Sequence, residues 1–326
     1  MDDTRTLSVV VAIYNEEDNL SELFRRLQAT FSTLPGVSSK VIYVNDGSTD
    51  GSLQIMLEQH AQDPRFTVLD LSRNFGHQPA ITAGLMAVDT DAVVMMDGDL
   101  QDPPELIPKL VESWRAGAEV VLAARLQRAE RGIRRFGFEL FYRVMNWMSD
   151  FPIPDRVGIF ALIDRRALNE LNRLPERNRY LPGLRAWVGF DQRVVTYERQ
   201  EREAGSPKQT LWHLIRYAMD AFLSFSYKPL RLMLASGVFV SLVGFVLAIV
   251  FVIRRLGGYE VAPTGFTTLV TLLLFLGGVQ LIAIGLLGEY LGRIYEEVKH
   301  RPLYIVKRRY PAPDSNETET HGRRDA

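Results

Sequence analysis

The chain has 326 residues, enough for one large domain or two smaller ones. Its 38 Lys and Arg nearly balance 39 Asp and Glu, a net charge of −1 that lacks the basic excess of a nucleic-acid binder. There is no cysteine, which excludes disulfides, thiolate zinc sites and thiol nucleophiles, and no two of the five histidines share a helical metal-ligand spacing.

The first twenty residues carry Asp2, Asp3, Glu16 and Glu17 and no long apolar core. They are unlike a signal peptide, and a cytosolic N-terminus is expected. Up to about residue 125, short β-rich runs alternate with amphipathic stretches. Strands are predicted at Leu7–Tyr14, Lys40–Asp46, Phe66–Ser72, Ala92–Asp97 and Glu119–Ala124, with helices such as Glu17–Thr30 and Pro103–Ala116 between them. This alternation predicts an α/β domain with a parallel sheet covered by helices. Residues 126–210 are richer in Arg and read as the acceptor half of the same domain, 1–209.

Each predicted strand ends in a chemically distinctive loop, at the edge where open α/β sheets bind ligands. After the first come Ala12, Tyr14, Asn15 and Glu16, a place where backbone can hold a nucleotide base. Glu17 reads as a first-turn acid that favours the helix dipole. After the second comes Asn45-Asp46-Gly47-Ser48-Thr49-Asp50-Gly51. There Asp46 can accept from a base N–H, and Ser48 or Asp50 can cap the next helix. After the third comes Arg73-Asn74-Phe75-Gly76-His77. Arg73 suits a diphosphate or a solvated surface, and His77 reads as a helix-start or packing residue rather than a base. The fourth strand ends in Asp97-Gly98-Asp99-Leu100-Gln101-Asp102-Pro103-Pro104. Strand alternation would set Asp97 and Asp99 on one face, and Gly98 permits close approach of a ligand. The same tripeptide also suits a plain turn. A hard cation bound with phosphates needs only one or two carboxylates. Arg125, Arg128, Arg131, Arg134 and Arg135 form a basic run suited to a lipid phosphate or to anionic headgroups.

Composition changes near Lys228. Leu232–Ile253 and Gly265–Gly288 are free of charge, and each exceeds the roughly 20 residues a helix needs to span a bilayer. The short linker predicts a hairpin within 229–292, and Arg and Lys gather at its two ends, which places the catalytic domain and both termini in the cytosol. Residues 210–228 read as an interfacial helix or one packed under the catalytic domain. Residues 293–326 read as a basic tail with a disordered end. Gly288 with Gly292, and Gly237 with Ser241, have a helix-contact spacing compatible with a homo-oligomer.

Tyr14-Asn15-Glu16, Asn45-Asp46-Gly47-Ser48, Arg73-Asn74-Phe75-Gly76-His77, the Asp97–Pro104 run, Leu174-Pro175-Glu176-Arg177, Tyr197-Glu198-Arg199, Pro229-Leu230-Arg231 and Leu287-Gly288-Glu289-Tyr290 together resemble family-2 glycosyltransferases of the polyprenyl-phosphate type, over about residues 6–310. Bactoprenol glucosyltransferases and dolichol-phosphate mannose synthases are of this type. The resemblance implies a GT-A fold and Mg2+ or Mn2+ held by Asp99 with Asp97 and Gln101. It implies nucleotide-sugar contacts from Ala12, Tyr14, Glu16, Val44, Asp46, Arg73, Asp97 and Gly98. Arg125 matches an arginine near the phosphates. Lys208 resembles the lysine of a Gly-x-Ser-Lys motif, at a different spacing. With Arg128–Arg135 these two would meet the acceptor phosphate. The chain departs from the family at Ala12, often Pro, and at Ile159 and Ala161, where many bactoprenol enzymes carry Asp and Arg.

The implied reaction is inverting transfer of a sugar, with UDP-glucose the leading donor, to undecaprenyl phosphate at a bacterial inner membrane, for cell-envelope glycan modification. Alternatives are mannose, GlcNAc or an amino sugar on the same lipid, or a membrane scaffold with a degenerate transferase domain. A processive synthase is disfavoured because Leu184-Arg185-Ala186-Trp187 is not Gln-x-x-Arg-Trp. No Gly-x-Gly-x-x-Gly follows the first strand, which excludes a dinucleotide oxidoreductase.

Overall fold

The structure, a computed structural model, describes residues 4–126, 157–177, 179–198, 228–257 and 265–310. They form two compact units. The first contains β1 (Arg5–Ile13), α1 (Glu17–Ser32), β2 (Val37–Asn45), α2 (Ser52–Gln62), β3 (Phe66–Leu71), α3 (His77–Met86), β4 (Ala92–Asp97), α4 (Ile107–Arg115), β5 (Val120–Leu126), β6 (Val157–Asp164), α5 (Arg165–Arg173), α6 (Leu181–Trp187), β7 (Gln192–Glu198) and β8 (Val306–Tyr310). The second contains α7 (Lys228–Leu256) and α8 (Phe266–Val298).

The strands make one sheet in the order β7-β5-β6-β4-β1-β2-β3-β8. β4, β1, β2 and β3 are mutually parallel, as the alternating pattern predicts. The whole sheet is not parallel. β6 runs antiparallel between β4 and β5, and β8 runs antiparallel along β3. This mixed sheet flanked by helices is the GT-A arrangement. β6 is an apolar run, buried from Ile159 to Ile163, which separates β5 from β4. β8 is basic and mostly exposed; its strand form comes from the open edge of β3, not from its own composition. What reads as the start of a basic tail is therefore in part a strand of the transferase sheet.

β1 is buried on both faces, as expected for a central parallel strand. Val9, Val11 and Ile13 join the core with Leu20, Leu23 and Leu27 of α1 and Leu110, Val111 and Trp114 of α4. Each such fully buried side chain contributes about 1.5–3 kcal/mol. On the other face α3 sits so close that a Cβ on Gly84 would lie 2.3 Å from Val10 Cγ1 and 3.1 Å from Val44 Cγ2. Glycine there lets the helix reach the sheet. The predicted helix at Pro103–Ala116 divides into a 3-10 turn, Pro104–Leu106, and α4, with a proline near the start of each.

In the second unit, α7 extends beyond its predicted span at both ends, and α8 beyond its own at the C-terminal end. Among the described residues, Phe275–Val298 is long and apolar enough to cross a membrane, and Met233–Val246 is a shorter apolar helical stretch. Both helices leave large apolar side chains exposed, among them Phe239, Phe245, Leu273 and Ile282. Gly237, Gly288 and Gly292 face open space within the chain. The predicted interfacial helix at 210–228 lies almost wholly outside the described residues, as do Arg128, Arg131, Arg134, Arg135 and Lys208.

Candidate active site

The four parallel strands deliver their carboxyl ends to one edge, and three of the loops there are stitched together by side chains. β1 stops at Ile13, one residue earlier than predicted, so Tyr14 lies in the loop and is exposed. Asn15 takes a positive φ of 55°. Its N–H donates to Ser48 Oγ at 3.1 Å, and its Oδ1 accepts from Thr49 N–H at 2.8 Å. Glu16 N–H donates to Ser52 Oγ at 2.9 Å, and the Glu16 carboxylate accepts from Asn19 Nδ2 at 2.6 Å. Ser48 therefore ties the first two loops together instead of capping a helix. Asp50 accepts from Ser52 N–H at the start of α2. Glu17 stands in the first turn of α1, as expected, and also accepts from Gly51 N–H at 2.7 Å.

Asp46 is buried and fastens the third loop. Its two oxygens accept from Phe75 N–H at 2.7 Å and from Gly76 N–H at 3.0 Å. Burial pushes its pKa above the ordinary carboxylate value, and the two amides and the charges of His77 and Arg73 offset only part of that. Gly47, at φ 68°, makes the contact possible: a Cβ there would lie 2.5 Å from the backbone of Arg73 and Asn74. Arg73 is exposed and lies over the Phe75 ring, 4.4 Å from its centroid.

β4 ends at Asp97, so Asp99 lies beyond the strand and not at the alternate strand position expected of it. Asp99 Oδ1 accepts from Gln101 N–H at 3.1 Å, and Leu100 between them has a φ of 60°. Gly98 is needed for packing: a Cβ there would lie 2.4 Å from Ile13 Cδ1. His77 opens α3, as the sequence suggests, but it also reaches the site. Its Nε2 lies 2.8 Å from Asp97 Oδ1, with both side chains partly exposed. Burial works against a charged imidazole, yet Asp97, with the fields of Asp46 and Asp99, holds its pKa above the ordinary value.

Val44 is fully buried under α3, so only its main chain is available to a ligand. Ala12 is likewise buried and pairs with both Val44 and Asp97. Arg125 lies on β5 opposite Tyr197 of β7. Two contacts escaped the motif reading. Tyr197 Oη donates to the buried Asp102 at 2.9 Å, which ties the loop after β4 to β7. Arg185 of α6 is buried and donates to the carbonyls of Gly158 and Ile159, and burial lowers its guanidinium pKa to about 10. The motif Leu-Arg-Ala-Trp was the available signal for Arg185.

Among the described residues no three of His, Asp and Glu gather to enclose a metal ion. Asp97 and Asp99 are instead two partly exposed carboxylates; Gln101 is buried on the same turn, and its unpartnered Nε2 is a hydrogen-bond donor, not a metal ligand. The carboxylate pair fits a hard divalent cation that takes its other ligands from phosphate and water.

The model of glycosyl transferase family 2 matches residues 8–171, and that of the GtrB C-terminal hairpin matches 228–294. An uncharacterised glycosyltransferase of Synechocystis is 42% identical over 305 residues, 93% of this chain and 95% of its own length. A bactoprenol glucosyl transferase of Shigella phage SfV is 41% identical over 302 residues, 92% of this chain and 98% of its own. A prophage bactoprenol glucosyl transferase homologue of Escherichia coli K12 is 39% identical over 303 residues, 93% and 98% respectively. With relatives this similar from end to end, the chain belongs to glycosyltransferase family 2, an enzyme whose transferase domain is followed by a GtrB-type C-terminal hairpin.

Proposed function

We propose that the enzyme transfers glucose from UDP-glucose to undecaprenyl phosphate at the cytoplasmic face of a bacterial inner membrane, as a step in cell-envelope glycan modification. The observation that carries this reading is the convergence of the Tyr14–Glu16, Asp46–Ser48 and Arg73–His77 loops on the sheet edge that ends in Asp97 and Asp99. The names of relatives matching both parts of the chain supply glucose and the lipid.

Asp97 and Asp99 would hold Mg2+ or Mn2+, with Gln101 beside them, and the cation would neutralise charge on the leaving diphosphate. Tyr14, Glu16 and Asp46 would border the base and ribose, and the Ala12 and Val44 main chains would line the crevice floor. Arg73 and Gly98 lie where the diphosphate would approach. An acceptor phosphate oxygen bonds to the anomeric carbon as the bond from that carbon to the UDP oxygen breaks, and UDP leaves with the electron pair. A phosphate monoester has a second pKa of about 6, so the acceptor is already largely anionic near neutrality. It needs little help from a base, which accommodates Ile159 where a carboxylate is common in the family. Arg125, Arg128, Arg131, Arg134, Arg135 and Lys208 would bind the acceptor phosphate and offset repulsion between two anionic substrates. An acceptor confined to the bilayer accounts for a membrane hairpin in the same chain.

The test is a set of radiolabelled UDP-glucose, UDP-GlcNAc and GDP-mannose offered to the full-length enzyme in vesicles with undecaprenyl phosphate. Label from UDP-glucose should appear in the lipid extract. Label from another donor alone would replace glucose in the reading, and label from none would favour a scaffold.

A further inference from the structure

We propose that His77 is a positioning residue for Asp97, holding that carboxylate in the orientation in which it receives the cation and diphosphate. The inference rests on the reading of Asp97 and Asp99 as the cation pair. A carboxylate can only accept, so the 2.8 Å contact to Asp97 Oδ1 requires the proton on His77 Nε2.

The imidazole is delivered from a rigid support. Asp46 grips Phe75 N–H and Gly76 N–H, just before His77. Gly76 turns the chain at φ 99°, and Ala80 N–H donates to Gly76 O to open α3. Gly84 then seats α3 against Val10 and Val44, which prevents the helix from sliding. Asp97 is the last residue of β4, paired with Ala12 of β1, and the histidine holds its side chain from outside the sheet. It also links the β2 loop, through Asp46, to the carboxylates after β4, so base-binding and phosphate-binding regions share one framework. A residue that merely started α3 would need no ring nitrogen directed at Asp97.

Groups that orient a metal-ligating side chain typically account for about 10–100-fold in metal affinity. The experiment titrates Mn2+ by electron paramagnetic resonance into full-length enzyme in detergent with UDP present. It compares wild type with His77→Ala, His77→Phe and His77→Gln. Phe fills the ring volume without a donor, and Gln restores an N–H. Ala and Phe should weaken Mn2+ binding by about 10-fold or more, and Gln should recover most of the loss. Should Ala fail to fold, the Phe and Gln pair decides. Wild-type affinity in Ala or Phe, or a Gln variant as weak as Phe, would overturn the role of His77. Absence of Mn2+ binding by the wild type itself would overturn the cation reading and this proposal with it.

Discussion

At the scale of single residues, two kinds of constraint meet at the site: carboxylates that organise backbone and glycines that make room for it. Gly47→Ala joins a positive φ to a Cβ 2.5 Å from the backbone of Arg73 and Asn74, atoms that cannot rotate away. The strain of a non-glycine residue there is of order 1–3 kcal/mol. We expect a lower melting temperature and a loss of UDP affinity larger than the stability change alone would produce, measured by calorimetry on the detergent-solubilised enzyme. Asp46→Ala removes the acceptor of two backbone amides and should cost about 1–3 kcal/mol, read in the same assay. Asp99→Ala should abolish glucosyl transfer, seen as loss of label in the lipid extract, while the protein still sediments with membranes. Near-normal transfer by that variant would remove Asp99 from the cation site. These residues stand out in the sequence because carboxylates and glycines follow apolar strands. Their partners do not: Asp46 is 29 residues from Phe75, and His77 is 20 from Asp97. Such pairs are set by strand order, which a single sequence does not display.

At the scale of elements, β1 to β5 were legible in the sequence, and β6, β7 and β8 were not. β1, β2 and β4 carry apolar runs at Val9–Ile13, Val41–Val44 and Ala92–Met96, buried on both faces, and β3 buries Val68, Leu69 and Leu71. β8 carries Val306-Lys307-Arg308-Arg309-Tyr310, which reads as a charged tail. It becomes a strand because β3 has an unpaired edge, and Ser72 N–H, at the root of the third loop, donates to Ile305 O at 2.9 Å. Deleting residues 301–326 should therefore reopen that edge and loosen the Arg73–His77 loop. The expected result is faster amide exchange at 68–76 than at the central strand β1, followed by mass spectrometry; unchanged exchange in that segment would show that β8 is dispensable to it. The paired Asp97 and Asp99 illustrate the converse limit. Alternation predicts one shared strand face, but β4 stops at Asp97, and Leu100 with its positive φ turns the chain so that Asp99 faces the Gln101 amide.

At the scale of the whole molecule, a transferase unit and a helical unit are joined in one chain, and the second exposes apolar side chains that water would not tolerate over such a length. If the reaction uses a divalent cation, chelation by EDTA should remove most lipid glucosylation, and Mg2+ or Mn2+ should restore it; activity resistant to EDTA would overturn the metal role. The sequence by itself determined the α/β alternation and the two apolar stretches, because these depend on local composition and periodicity, and its motifs carried the resemblance to family-2 glycosyltransferases. Tertiary structure alone decided the mixed sheet, the recruitment of β8, the clamp from Asp46 to the third loop and the contact of His77 with Asp97. Each of these joins residues far apart in the chain, and only the packing of strands and helices sets which of them meet.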